Sequence, residues 1–216
     1  MPMQPIETQL PVSGAGFVTC NRGQNGNNTN QWGQQSTIDA ALAVGAAWNE
    51  LHPDRPMAIG HISLRGGGPM SPHDSHQKGV DLDIRPERKD GLNTEVDIFN
   101  GQYDRALTTE LINLWWEKAP VKLVYFNDPT VIEAKLSRHA HNHHHHFHVR
   151  LRMKGDSLRQ GDRGSDVSEV QTKLGIIVDG RFGPNTKQAV EEFQATHNLH
   201  VDGVVGPNTW AALATV

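Results

Sequence analysis

A nine-residue motif occurs twice near the end of the chain and restricts what this region can fold into. The segment VDGRFGPNT (178–186) returns as VDGVVGPNT (201–209), 23 residues later, with seven of nine positions identical. Each copy joins an Asp-Gly turn to a proline that suits the first position of a helix, where its missing N–H costs nothing. Apolar residues at helical spacing follow each copy, and a third amphipathic segment, SDVSEVQTKL, precedes the first. Short helices of this kind cannot bury their apolar faces singly, so the pattern predicts a small three-helix bundle.

A short polar joint, MKGDS (153–157), separates the bundle from a longer N-terminal region with a different pattern. Apolar and polar residues alternate in GVDLDIR (79–85) and HFHVRLR (146–152), which indicates strands with one buried face. Further strands are predicted at RPMAIGHIS and VKLVYFN, and helices after Ser36 and within YDRALTTELINLWWEKA. We therefore expect an α+β fold, with an antiparallel-sheet domain and flanking helices at residues 1–153 and the all-α three-helix domain at 157–216.

Composition and charge exclude several classes of function. The chain has 216 residues, a net charge of −4 and a single cysteine, Cys20. This charge gives no general attraction to nucleic acid or anionic membranes, and one cysteine forms no internal disulfide framework. The N-terminal segment has neither the basic start and apolar core of a signal peptide nor an apolar span of membrane length. We expect a protein made in the cytoplasm, without membrane insertion, that reaches any target outside through a route opened by another protein.

The segment SRHAHNHHHHFHVRL (137–151) holds seven of the chain's thirteen histidines. A purification tag would be terminal and followed by linker residues, whereas this tract is internal and runs directly into an alternating strand. A nonspecific histidine-rich metal tract would account for residues 141–145 but not for the strand pattern of HFHVRLR. The pattern therefore favours histidines that a strand holds in fixed positions.

Two segments place candidate metal ligands in or beside predicted strands. In PHDSHQKGVDLDI, two histidines lie in a loop before a strand with two aspartates on one face, and in HFH two histidines share a face. The candidates are His73, His76, Asp81, Asp83, His146 and His148. If the two strands are neighbours, a loop histidine, a strand aspartate and a strand histidine meet at one ion, as a hydrolytic zinc site with an open water position requires. The pattern does not decide between the two aspartates, and an ion-pair role for one of them stays open.

The segments SHQKGVDLDI and HFHVRL resemble the two signature motifs of the penicillin-insensitive murein endopeptidases. That family is part of a larger zinc peptidase group, which includes lysostaphin, the D-Ala-D-Ala carboxypeptidases and the hedgehog signalling domain. The flanking segments GHISLRGGG and KLVYFNDPTVIEAKL are also similar to the family, so the resemblance covers most of residues 10–152. Residues 158–213, with the doubled VDGxxGPNT, resemble the small three-helix peptidoglycan-binding domain.

The resemblance implies a set of zinc ligands. Carried over by position, these ligands are His76, Asp83 and His148, with one Zn²⁺ per chain. A zinc ion held by three protein ligands lowers the pKa of a bound water toward ~7 and polarises a scissile carbonyl. The resemblance thus favours Asp83 over Asp81 as the ligand.

The resemblance also implies further site residues. Its other histidines correspond to His73, His143 and His146, and the dense tract makes His144 an alternative to His143. We expect His146 and His143 to act as general base and acid and to stabilise the oxyanion, while His73 shapes the ligand shell. Arg150 lies on the same strand face and is a candidate for binding a substrate carboxylate, although a solvated strand charge is an equal alternative.

The two resemblances together imply hydrolysis of peptidoglycan. The expected reaction is cleavage of peptide cross-links, commonly the D-alanyl to meso-diaminopimelyl bond, by an enzyme that its C-terminal domain holds on the polymer. The pairing of a catalytic and a wall-binding domain also resembles phage endolysins, which pass through a holin-type membrane pore. Two alternatives are a zinc D,D-carboxypeptidase that trims stem peptides and a non-catalytic wall-binding adaptor. The adaptor is disfavoured because a structural zinc site is expected to have a fourth protein ligand.

Overall fold

The computed structural model describes residues 5–20, 29–71, 73, 75–153 and 155–215. Over these residues the N-terminal region contains eight strands and three helices: β1 (Thr8–Gln9), β2 (Ser13–Gly14), β3 (Phe17–Thr19), β4 (Trp32–Gly33), α1 (Gln35–Leu51), β5 (Met57–Ile59), β6 (Asp81–Ile84), α2 (Arg105–Lys118), β7 (Val121–Tyr125), α3 (Pro129–Glu133) and β8 (Phe147–Leu151). The C-terminal region contains α4 (Ser165–Lys173), α5 (Pro184–Thr196) and α6 (Pro207–Leu213). The predicted α+β class is confirmed. Residues 1–4, 21–28, 72 and 74 of the predicted first domain lie outside the described residues, as do Lys154 of the joint and Val216.

A six-stranded sheet in the order β2-β3-β5-β6-β8-β7 forms the centre of the N-terminal region. Its neighbouring strands are antiparallel except for β3 and β5, which are parallel, so the sheet is mixed. Leu82 and Ile84 of β6 and Phe147 and Val149 of β8 are fully buried in the core on one face. Because side chains alternate along a strand, the polar residues between them lie on the opposite face.

Two helices complete the core of the N-terminal region. Helix α1 begins at Gln35, one residue before Ser36, and the side chain of its N-cap residue Gln34 makes no capping hydrogen bond. Helix α2 does have a side-chain cap, because Asp104 accepts a hydrogen bond from the Leu107 N–H. Fully buried tryptophans from both helices pack in the core beside the sheet. No helix among the described residues combines the length and the apolar character that crossing a membrane requires.

A buried glutamine fixes each copy of the repeated motif. Gln171 of α4 donates from Nε2 to Asp179 Oδ1 at 2.7 Å and to the Thr186 hydroxyl at 3.0 Å, while its Oε1 accepts from two backbone N–H groups of the turn. Gln194 of α5 makes the equivalent bonds to Asp202 and to the second copy's threonine and turn. The repeat is therefore a helix, a turn held by an amide from that helix, and a proline-initiated helix. Helix α5 belongs to both copies.

The two regions contact each other beside the joint. The buried guanidinium of Arg152 donates to the Val121 carbonyl at 2.7 Å and to Asp166 of α4 at 3.1 Å. Arg163 lies over the ring of Trp116 in α2, 4.0 Å from the ring centroid. The buried apolar side chains nevertheless form two separate clusters, one in each region. The bundle is thus docked on the sheet-containing region while keeping its own core.

Candidate metal centre

The pairing of β6 with β8 places the predicted metal-binding residues opposite one another. In the antiparallel register, Asp83 is the partner of His148 and Asp81 is the partner of Arg150. Directly opposed residues of antiparallel strands have Cβ atoms only ~5 Å apart and point to the same face. The alternation that buries Leu82 and Val149 in the core therefore directs these four polar side chains to the other face.

Three buried side chains converge beside this pair of strands. His76 Nε2 lies 3.1 Å from Asp83 Oδ1, and His148 Nδ1 lies 3.0 Å from the same oxygen. All three residues are buried, and their nitrogen and oxygen atoms lie within 4.8 Å of one another. His76 reaches this position from the loop before β6 with a left-handed backbone, φ 61°. A non-glycine residue in that conformation costs roughly 1–2 kcal/mol, so the fold around it fixes the ring at the expense of local strain.

The hydrogen bonds of His76 select which of its ring nitrogens faces the centre. Its Nδ1 lies 2.9 Å from the Ile62 carbonyl, which only accepts, so Nδ1 carries the proton and donates. In the neutral imidazole, Nε2 then carries no proton, and its lone pair faces Asp83 Oδ1 at a distance of 3.1 Å. Two acceptors at this distance need either a proton, as in the imidazolium form, or a metal cation between them. The donor set of two imidazoles and one carboxylate suits zinc.

Asp81 orients the second imidazole. Its Oδ1 lies 2.9 Å from His148 Nε2 and accepts from Arg150 Nε at 2.6 Å, and its Oδ2 accepts from the backbone N–H of His76 at 3.3 Å. A carboxylate that holds one nitrogen of a histidine while the other binds metal is a common arrangement at zinc sites. The geometry thus gives Asp81 and Asp83 different positions, and the Arg150 guanidinium is engaged with Asp81.

Two charged carboxylates lie at the centre. Burial raises the pKa of Asp83, but hydrogen bonds from His148 and His76 outweigh burial and hold the pKa well below its usual range. Burial likewise acts against Asp81, yet His148 and Arg150 lower its pKa to about 2. Burial alone would lower the pKa of His148, but the two carboxylates raise it. Both aspartates are therefore anionic at neutral pH and favour a cation between the rings.

The remaining predicted histidines surround this centre. His146 Nε2 lies 3.6 Å from Asp83 Oδ1, and the His143 ring is 4.7 Å from the His146 ring and 5.8 Å from that of His148. The His144 ring instead lies 6.3 Å from the ring of Phe99. Of the two alternatives that the sequence left open, His143 rather than His144 lies beside His146, whose ring is also 4.6 Å from that of His145. Burial lowers the pKa of His143, and it lowers that of His146 to about 3, so both rings are neutral at pH 7.

His61 also lies at the centre, although it is not among the site residues predicted from the sequence. Its Nδ1 is 3.8 Å from Asp83 Oδ2, and the Nδ1 of His73 is 3.9 Å from the same oxygen. Burial lowers the pKa of His61, and it lowers that of His73 to about 4. His61 follows β5, which is next to β6 in the sheet. Its position just after a predicted strand is a signal, but only the strand order places it beside Asp83.

A sequence profile of the penicillin-insensitive murein endopeptidases matches residues 6–113, which is half of the chain. The chain belongs to this family. The matched residues of this murein endopeptidase family member include His76 and Asp83 but end before β8. The place of His148 at the centre therefore rests on the geometry described above. A profile of the peptidoglycan binding domain matches residues 163–213, which contain all three C-terminal helices.

Solved structures share shorter stretches with this murein endopeptidase family member. The Burkholderia AP3 phage endolysin is 46% identical over 27% of this chain and 24% of its own, with a TM-score of 0.27. A fused Zn-dependent amidase/peptidase/peptidoglycan-binding domain-containing protein from Clostridium acetobutylicum ATCC 824 is 41% identical over 27% of this chain and 29% of its own, with a TM-score of 0.27. The chain thus spans only about a quarter of the length of these proteins. No curated protein matches this chain at the level of significance that the solved structures reach.

Proposed function

We propose that this chain is a zinc-dependent peptidoglycan endopeptidase that cleaves peptide cross-links, with the D-alanyl to meso-diaminopimelyl bond as its substrate. The observation that carries the proposal is the convergence of His76 Nε2, His148 Nδ1 and Asp83 Oδ1 in a member of a murein endopeptidase family. The peptidoglycan binding domain at residues 163–213 supports the same polymer as substrate. We also propose an endolysin role, in which the enzyme is made in the cytoplasm and reaches the wall through a pore formed by another protein.

The residues present fit a catalytic zinc ion better than a structural one. His76, Asp83 and His148 would hold the ion, and Asp81 would orient His148 through its Nε2. Three protein ligands leave a coordination position open, whereas structural zinc sites are generally closed by a fourth protein ligand. When bound, zinc would supply Lewis-acid polarisation of the scissile carbonyl and would activate water at neutral pH.

The two histidines beside the ligands supply proton transfer. We propose that His146 accepts the proton of the attacking water at a ring nitrogen, and that this proton passes to the nitrogen of the leaving amine as the carbon–nitrogen bond breaks. His143 Nδ1 donates to the His141 carbonyl at 2.6 Å, so its Nε2 is a free acceptor in the neutral ring. His143 can therefore take a proton, and it stabilises an oxyanion only after it has done so.

Positive side chains border a cavity next to Asp81. This cavity has a volume of about 320 Å³ and its lining includes Lys78, Lys122 and Arg150. Arg150 is one-third exposed, so its guanidinium keeps donors for a ligand beyond the one that Asp81 accepts. Lys122 is paired with Asp156 of the same lining at 2.9 Å. Peptidoglycan stem peptides carry carboxylates, and we propose that Lys78 and Arg150 position them. In this proposal Arg150 has two roles, holding Asp81 and contacting substrate.

Replacing Asp81 with Asn tests the orienting role. Both oxygens of the Asp81 carboxylate accept hydrogen bonds, from His148, Arg150 and the His76 N–H. An amide offers only one acceptor oxygen, so the Asn side chain of Asp81→Asn points its NH₂ group at one of the donors that the carboxylate had accepted from. If that donor is His148 Nε2, the ring is favoured in the tautomer with its proton on Nδ1, the nitrogen that would bind zinc. We expect zinc affinity to fall by ~10–100-fold, as for other partners of metal-binding histidines. Competition titration against a chromogenic chelator measures this affinity.

The matched control is Asp90→Asn, which also removes one aspartate charge. Asp90 is exposed and pairs with Arg88 on the surface. Its replacement should leave zinc affinity within about twofold of the unaltered chain, because screened surface charges contribute little. Equal affinity in the two variants would contradict the orienting role of Asp81.

A muropeptide digest tests the proposed reaction. The enzyme should convert cross-linked dimers to monomers, detected by mass spectrometry, and a chelator should stop the reaction until zinc is restored. Permeabilised Gram-negative cells should lose turbidity, whereas intact cells should not, because their outer membrane keeps the enzyme from the wall. Loss of only a terminal D-Ala would instead identify a D,D-carboxypeptidase, and undiminished cleavage without metal would contradict zinc dependence.

A further inference from the structure

We propose that His61 Nδ1, His73 Nδ1 and Asp83 Oδ2 form a second divalent-cation site beside the first. The three residues offer ligand atoms that lie within 4.8 Å of one another. The first site uses Asp83 Oδ1, so Asp83 would bridge the two ions. This inference depends on the proposed function only through that shared aspartate.

The distances fit two ligands of one ion better than a hydrogen bond. His61 Nδ1 and His73 Nδ1 lie 3.8 Å and 3.9 Å from Asp83 Oδ2, which is too long for a hydrogen bond. Zinc binds nitrogen and oxygen ligands at about 2.0–2.2 Å, so two ligands on the same ion lie roughly 3.3–3.9 Å apart at angles near or somewhat wider than tetrahedral. The spacing therefore leaves room for a cation between each imidazole and the carboxylate.

The two oxygens of Asp83 face two different pairs of histidines. Oδ1 lies nearest His76 and His148, while Oδ2 lies nearest His61 and His73. A carboxylate with one oxygen toward each of two ligand sets is the bridging arrangement of two-metal hydrolases, whose ions are about 3.5–4 Å apart. Shared use of Asp83 thus follows from its position between the sets.

The fold holds the second pair of histidines in place. The His61 carbonyl accepts a hydrogen bond from the Asp83 N–H at 2.9 Å, which ties the backbone after β5 to β6. The His73 N–H donates to the Met70 carbonyl at 2.8 Å within the loop before β6. The rings of His61 and His73 are 4.7 Å apart and meet edge to face. Backbone contacts at both histidines therefore limit how far the rings can separate.

The second site opens to a cavity of about 370 Å³, whose lining includes His61, His73 and Ser71. The side chains of His61 and His73 are 25% and 21% exposed, whereas those of His76 and His148 are 0% and 3% exposed. An ion bound there would thus keep water ligands and would share one anionic charge with its neighbour. We expect it to bind more weakly than the first ion and to belong to the first-row divalent metals that accept imidazole and carboxylate ligands.

Metal titration of the full chain tests the second site. After dialysis against zinc, elemental analysis should find one ion fewer per chain in His61→Ala and in His73→Ala than in the unaltered protein. His139→Ala is the control, because His139 is exposed, belongs to the histidine-rich tract and lies in neither ligand group. It should keep the full count. Thermal melts identify any variant that has not folded. If one of the two histidine variants fails to fold, the other still tests the site.

Cobalt(II), a paramagnetic substitute for zinc, distinguishes a bridged pair from ions bound elsewhere on the tract. Electron paramagnetic resonance of the cobalt-loaded protein should show a magnetically coupled pair that becomes uncoupled in His61→Ala. An uncoupled signal in the unaltered protein, or an unchanged zinc count in folded His61→Ala, would overturn the second site. Cross-link cleavage by a protein that saturates with one central ion would reject this inference alone. A coupled pair without cleavage would reject the proposed function and leave this site standing.

Discussion

The His148→Ala variant is expected to bind zinc more than ~100-fold more weakly and to lose detectable cleavage of cross-linked muropeptides. The substitution removes the Nδ1 ligand, and it also removes the ring that lies between the two buried carboxylates of Asp81 and Asp83. These anions would then repel each other across the space that the ring had filled, with Arg150 still paired with Asp81. Elemental analysis after dialysis measures the bound zinc, and mass spectrometry of digested muropeptides measures the conversion of dimers to monomers.

The control for this variant is His139→Ala, which removes an exposed histidine of the same tract. It should keep both zinc and activity. A thermal melt of zinc-free His148→Ala checks that the chain is folded, since loss of a buried group between two carboxylates also lowers stability. Full cleavage by the zinc-free variant would refute the zinc mechanism, and unchanged zinc content would show that His148 is not a ligand.

The strands that build the centre could be predicted from the sequence because their apolar positions alternate. Leu82 and Ile84 in β6 and Val149 in β8 are buried as the pattern requires, which leaves the intervening polar side chains on the other face. That these two strands are neighbours, with Asp83 opposite His148, depends on long-range pairing that alternation does not encode. The resemblance to a family supplied the expectation of adjacency.

Other features of the centre required three-dimensional positions. His61 lies after β5, and nothing local to its segment connects it with a strand that begins twenty residues later along the chain. The role of Asp81 was open because side-chain alternation gives two aspartates on one face the same status. Its contact with His148 Nε2 becomes visible only when the register and the ring orientation are both known. The tautomer of a histidine is decided by its hydrogen-bond partners, and these are brought to it by the tertiary structure.

The buried glutamines of the C-terminal bundle show the same limit at a smaller scale. The repeated motif predicts turns and helix starts, and prolines do occupy the first positions of α5 and α6. Gln171 and Gln194 occupy helix positions that an apolar residue would also suit, yet their amides bind the turns that follow. A polar residue that a fold buries for its hydrogen bonds is not recognisable from hydrophobic periodicity.

The His146→Ala variant is expected to lower kcat by ~10²–10⁴-fold while zinc content stays that of the unaltered chain, because a general base acts in the transition state and not in metal binding. Burial lowers the pKa of His146 to about 3 in the metal-free protein, so the ring is neutral and can accept a proton at pH 7. A base must be unprotonated to act, so activity that depends on His146 is lost as the pH falls through the pKa of that ring. The pH profile of the variant's residual activity should lack this loss at acidic pH. Steady-state kinetics on a soluble cross-linked muropeptide across pH, with zinc analysis of the same samples, measures both effects.

The control for His146→Ala is His144→Ala, which removes the tract histidine whose ring lies beside Phe99. It should leave the kinetic constants and the pH profile close to those of the unaltered chain, whereas His143→Ala should lower kcat because its ring contacts that of His146. The zinc content of His146→Ala separates two roles for a nitrogen that lies 3.6 Å from Asp83 Oδ1. Loss of zinc in step with activity would make His146 a fourth protein ligand, and a site closed in that way would have no position left for the attacking water.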